Sequence, residues 1–360
     1  MTSSDAPRLP HDEPADGSGE GHVPLIDEAA ALRAARLVTS RRATSPQEVA
    51  ALRADVLADL PRIDAAARAW TRLGEDLPPT TARVVGRVAW VRENLSAMRG
   101  AFEPLRERMA RHRRSGAVVL GTQLGALLGL LSTKVLGQYV LPLGGPGGGQ
   151  LLVVGPNVLA LADEHGELAG DIRRTVVLHE VTHRLQFDAT PWLGDHLRGL
   201  LNRYLEHARV DRNAVAELAP RLPQAIAKVM ETGSVQPLLE TVLSPEQIEV
   251  VEEAQGLMSL LEGHGNATMF EAADSDLIAD PEGVRTAMAA RREDVTTKIL
   301  SAVAGLELKR RQYREGERFV REVVDLAGVD ALNRAFAAPE NLPRPDDVED
   351  PAAWLARVWT

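Results

Sequence analysis

His179-Glu180-Val181-Thr182-His183, set within TVVLHEVTHRLQF (175–187), is the stretch on which the reading of this chain turns. On an α-helix, positions i and i+4 share one face, a turn apart. Two imidazoles so placed can each aim a nitrogen at one metal ion. The glutamate beside the first histidine can then reach a water held at that metal. The spacing therefore predicts zinc bound by His179 and His183, with Glu180 as general base. The flanking Val176, Leu178 and Leu185 predict a buried helix, where two unpaired imidazoles would be costly without a ligand. The plainer alternative is a structural helix whose two histidines are merely hydrogen-bonded.

A catalytic zinc takes three protein ligands and keeps a fourth position for water. The chain has no cysteine, so the third ligand must be His, Asp or Glu. A metzincin would continue as H-x-x-G-x-x-H, but Gln186 and Ala189 stand at those Gly and His positions, and that class is excluded. The remaining solution is a carboxylate from a second helix. Glu262, in LMSLLEGHGNATMF (257–270), is the first choice, because the apolar turn before it would partly bury an acid there and a metal is one way to satisfy it. His264 is the rival ligand, and Glu271 a weaker one. Asn266, one turn past Glu262, is placed to hydrogen-bond a ligating imidazole and fix its tautomer. His196 and His207 read as structural or surface histidines. A developing oxyanion needs a further donor. Among Tyr139, Tyr204 and Tyr313, Tyr313 in ELKRRQYREGERF (307–319) has basic neighbours suited to that role, or it anchors its helix with a wet hydroxyl.

The 360-residue chain carries a net charge of −10 and only 4% aromatic residues. The charge argues against general nucleic-acid binding. The composition predicts an aliphatic core built on helices, so the expected fold is mainly α with a small β element. Residues 1–22 read as a disordered tail. A helical metallohydrolase domain follows over 23–337, divided into an N-terminal helical part (23–115) and a metal-binding part (116–337). Residues 338–360 read as an acidic Pro-rich linker and a C-terminal segment. Helices are expected near 25–38, from Pro46 with an interruption at Pro61, and from Thr80 to Arg113. The run 116–131 is too short to span a membrane and is read as a central core helix, striped by Gly121, Gly125 and Gly129. With no signal peptide in view, the expected location is cytoplasmic. LGGPGGGQ (143–150) lacks the Lys-Ser/Thr of a phosphate loop and reads as a flap or connector. Leu151–Val154 reads as a strand, either an edge that pairs with extended substrate or a buried filler.

VVLHEVTHRLQF (176–187), PWLGDHL (191–197), LLEGHGNATM (260–269) and LKRRQYREGERF (308–319) together resemble the bacterial zincin-like metallopeptidases formerly grouped as a domain of unknown function. QYVLPLGGPGGGQLLVVGPN (138–157) resembles the branch of that family labelled as associated with deazaflavin coenzyme biosynthesis. The resemblance spans roughly residues 30–335. It implies a mostly helical zincin-like fold and one zinc held by His179, His183 and Glu262. Gly265 departs from the family pattern, where Ala follows EGH; a second glycine there is expected to weaken the helix by about 1 kcal/mol. The expected substrate is a peptide or another amide. The alternatives are a non-catalytic zinc protein acting through partner binding and an amide hydrolase acting on a small metabolite. No oligomeric state follows from the sequence.

Overall fold

A computed structural model describes residues 25–39, 44–102, 113–143, 148–207, 224, 241, 243–272, 276–290 and 307–359. The N-terminal tail (1–22), the end of the segment read as helical after Pro191, and the stretch near 221–232 lie outside the described residues, residue 224 excepted. Helix α1 is Glu28–Val38 and α2 is Pro46–Thr71. Strand β1 (Ala82–Val85) leads into α3 (Arg87–Ala97). Helix α4 (Arg113–Ser132) precedes β2 (Gly137–Val140) and β3 (Gln150–Val154). Then come α5 (Gly155–His165), α6 (Ala169–Asp188) and α7 (Pro191–Glu206). The long α8 (Pro245–Glu271) is followed by a helix over 281–290, α9, and by α10 (Glu307–Ala327). Short helices α11 (Val329–Leu332), α12 (Pro345–Glu349) and α13 (Pro351–Val358) close the chain. Among the described residues the fold is mainly helical with one three-stranded sheet, in line with the expected mainly α fold.

The sheet runs in the order β1-β3-β2, with β1 parallel and β2 antiparallel to β3. Alternate residues of β3 face opposite sides, as a strand's period of two dictates. Leu151 and Val153 join a core with α2, α5 and α6, while Leu152 and Val154 join another with α1, α3 and α4. A third core gathers α7, α8, α10 and the C-terminal segment around Phe319 and Trp354. Helix α6 borders the first core and α8 the third, so the two meet where the cores meet.

The structure settles one alternative and corrects several expectations. β3 is the central strand, buried on both faces, so the filler reading holds and β2 is an edge. The helix expected from Thr80 begins instead with β1: the spacing of Val84, Val88 and Val91 resembles a helix stripe, but Val84 and Val85 pair with β3 and Gly86 caps the helix that follows. Pro61 does not interrupt α2; buried Leu60, Ile63 and Ala67 on either side of it pack into the first core and keep the helix continuous. The linker over 339–351 is folded, with Leu342 and Val348 buried in the third core and Trp354 Nε1–H donating to the Asn341 carbonyl at 2.9 Å.

Helix α4 is peripheral rather than central. Val119, Leu127 and Leu130 are exposed on it. Its glycine stripe instead receives α1: a β-carbon on Gly125 would run into the Ala31 carbonyl, and one on Gly121 into that of Asp27. Gly125→Ala is therefore expected to destabilise the protein by about 1–3 kcal/mol through overpacking. Gly199→Ala, on α7 where a β-carbon meets nothing within 4 Å, is expected to gain up to about 1 kcal/mol of helix propensity. Urea denaturation of the two variants should move the midpoint in opposite directions.

Candidate metal centre

Helix α6 places His179 and His183 on one face, their rings edge to face with centroids 4.5 Å apart. The two Nε2 atoms stand 3.0 Å from each other. Glu262 arrives from α8 with its carboxylate oxygens 3.5 Å from His179 Nε2 and 3.9 Å from His183 Nε2. One ligand atom from each of these three residues lies within 4.8 Å of the others. All three side chains are partly buried, at 16%, 13% and 21% exposed. They converge although Glu262 lies far downstream in the chain.

Glycines explain how α8 gets this close. A β-carbon at Gly265 would stand 2.8 Å from Cε1 of His179, so the His179 ring lies directly against the α8 backbone. On the opposite side, Gly263 and Gly316 bring α10 onto α8, with a β-carbon at Gly263 running into the Gly316 carbonyl and one at Gly316 into that of Ser259. The expected weakening at Gly265 is thus answered by contact: α8 runs unbroken through Gly263 and Gly265, and the missing side chain is the space His179 occupies.

Glu180 lies between this cluster and β2, close enough to His183 and Glu262 to feel both charges. Its Oε2 accepts the Tyr139 backbone N–H at 2.9 Å. The strand passes so near that a β-carbon on Gly137 would lie 2.7 Å from Glu180 Cγ. Burial, assisted by the charge of Glu262, pushes its carboxyl up to about 7, while His183 and the Tyr139 N–H pull the other way. Sequence reasoning assigned Gly137 and Tyr139 no role beside Glu180; GQYV holds only Tyr139 and Val140 as strand-favouring residues, a weak signal for a strand there. The Tyr139 phenol donates to Asp188 at the end of α6 and accepts the Gly149 N–H at 3.1 Å. Burial and Asp188 together raise its pKa. Residues 144–147 of the glycine-rich loop lie outside the described residues.

His264, the rival ligand, does not join the cluster. It is fully buried between Trp70 and Phe336, with ring centroids 5.5 Å from each. Burial, then the nearby His183, pushes its pKa down to about 3, so it is neutral. Asn266 is buried one turn beyond Glu262. Gln186 also meets a ligand's ring, its Oε1 lying 2.8 Å from His183 Nδ1. Glu271 ends α8, 3.7 Å from Arg321. His196 lies against Trp192 and 3.5 Å from Glu253, a structural setting. Tyr313 falls within α10, but its side chain lies outside the described residues, as does that of Tyr204's neighbour region beyond 207.

Two imidazole nitrogens and a carboxylate aimed at one point, with no thiolate, form the nitrogen–oxygen donor set that suits zinc. A helix bearing His-Glu-x-x-His joined by a carboxylate from a second helix defines a metallohydrolase class. The chain belongs to the zincin-like metallopeptidase family, whose model matches residues 26–355. A Chloroflexus aurantiacus crystal structure, provisionally assigned as a hydrolase with a novel fold, is similar at 27% identity and a TM-score of 0.64, over 92% of this chain and 98% of that one. No curated protein matches the chain. Among the described residues, no helix is long and apolar enough to cross a membrane.

The raised Glu180 pKa gives the metal-free protein a defined pH response. Between about 4.5 and 7 the native state keeps a proton that the unfolded chain has lost. Its contribution therefore falls as pH rises through that window, by up to about 1.4 kcal/mol per pH unit. Unfolding midpoints of chelator-treated native protein and Glu180→Gln, compared across this range, should show the variant gaining on the native protein with rising pH. Parallel curves would contradict the burial of an ionisable Glu180.

Proposed function

We propose that this protein is a zinc-dependent hydrolase of peptide bonds, with His179, His183 and Glu262 as the ligands and Glu180 as the general base. The observation that carries the reading is the convergence of the two Nε2 atoms and the Glu262 carboxylate within 4.8 Å, beside a buried carboxyl whose pKa lies near 7. Membership of a metallopeptidase family supports the peptide substrate, and the hydrolase assignment of the similar Chloroflexus structure supports the reaction class. Zinc bound by these residues would supply Lewis acidity, acidifying water and polarising a carbonyl.

The chain's own residues do the rest. Glu180 accepts a proton from the attacking water and delivers it to the leaving amine. The Tyr139 N–H holds one carboxylate oxygen and leaves the other for water. Edge strand β2 runs beside Glu180, so an extended peptide would add to it. Tyr313, on α10, is the proposed donor to the developing oxyanion.

Metal analysis of the purified protein is expected to find one zinc per chain. Glu262→Ala should lose most of that zinc at equal chelator. Glu180→Gln should keep the metal while hydrolysis of a peptide library, followed by mass spectrometry, falls about 10²–10⁴-fold. A Glu262→Ala variant that binds zinc unchanged would sink the ligand assignment, and an active Glu180→Gln would sink the base.

A further inference from the structure

Gln186 lies one turn past His183 and is fully buried. Its side chain spans the seam between the two helices that carry the proposed ligands. On one side its Oε1 is 2.8 Å from His183 Nδ1. On the other its Nε2 donates to the Leu261 carbonyl at 3.0 Å and stands 3.0 Å from His264 Nδ1. Leu261 and His264 bracket Glu262 on α8.

These contacts have only one consistent direction. A backbone carbonyl can only accept, so the Gln186 amide nitrogen must face Leu261 and its oxygen must face His183. The oxygen can only accept, so His183 Nδ1 carries the hydrogen and Nε2 keeps its lone pair. The second amide hydrogen goes to His264 Nδ1, which is then the unprotonated nitrogen of a neutral ring. A carbonyl on one helix therefore dictates, through one amide, the tautomer of a histidine on another.

We propose that Gln186 is a positioning residue which, clasped to Leu261 and His264, locks His183 with its Nε2 lone pair toward the metal point and sets α8 in the register that presents Glu262. This rests on the ligand assignment above. It deepens that assignment by giving the site a built-in orienting element. The three Gln186 contacts are all made to protein groups. It is also independent of substrate, so it acts on metal affinity before it acts on turnover.

The test is zinc affinity measured by competition with a chromophoric chelator, together with solvent exchange of the His183 Nδ1–H, seen as a shifted resonance in cobalt-substituted protein. Gln186→Met keeps the length but removes both polar ends. It is expected to weaken zinc about 10–100-fold, the usual cost of losing such a partner, and to speed exchange of that proton. Gln186→Glu restores the acceptor for His183 but not the donors to Leu261 and His264, and is expected to recover only part of the affinity. His264→Phe keeps a ring between Trp70 and Phe336 but frees one Gln186 donor. It serves if Gln186→Met does not fold, and is expected to give a smaller loss with faster exchange than native. Native protein that takes up no zinc would overturn the ligand assignment itself. Native protein that binds zinc, with Gln186→Met binding equally well or His264→Phe exchanging at the native rate, would overturn the clasp alone.

Discussion

The contact on which this structure depends is that of the His179 ring with the bare backbone of α8 at Gly265. A β-carbon there would sit 2.8 Å from the ring, inside any tolerable carbon–carbon separation. With it, Glu262 could not stand 3.5 Å from His179 Nε2 unless one helix moved. The three candidate ligands therefore converge because two helices distant in sequence approach to backbone distance. The glycines at 263 and 316 repeat the device on the far side, where α10 presses α8 inward. Three helices are stacked through small residues, and the polar chemistry lies in the seam between the first two.

A close seam also governs the electrostatics. Burial raises the Glu180 carboxyl and depresses His264, in opposite directions for one reason: each loses water's stabilisation of its charged form. For Glu180 the result is a carboxyl able to exchange a proton near neutral pH. For His264 it is a ring that stays neutral beside a cation site. The Tyr139 N–H and the space left by Gly137 show that β2 is shaped around Glu180. The Tyr139 phenol, bound to Asp188 and Gly149, fastens the same strand to the end of α6.

The parts of this site legible in the sequence are those whose geometry is local. His179, Glu180 and His183 declare themselves because an i, i+4 spacing on a helix leaves little freedom. Glu262 was legible by elimination, since the chain lacks cysteine and lacks the metzincin extension, and by the resemblance of its EGH segment. What was missed depends on pairing between remote segments. β1 lay inside a helical-looking stripe because its partner is β3, far along the chain. β2 is four residues long and has no strong periodicity. Gln186 was noticed only as the residue that breaks another class's pattern. Its amide meets His264 across 78 positions, and no local rule relates them. Gly265 looked like a flaw for the same reason: helix propensity sees the lost side chain, whereas the imidazole that fills its place comes from another helix.

The central claim is that two histidines of α6 and one carboxylate of α8 share a single zinc. A crystal structure of the zinc-loaded protein, with an anomalous difference map at the zinc edge, tests it most directly. The account predicts one peak per chain, bonded to Nε2 of His179, Nε2 of His183 and a Glu262 oxygen, with a position left for water. A peak elsewhere, His264 or another side chain in place of Glu262, or a fourth protein ligand closing the site would contradict it.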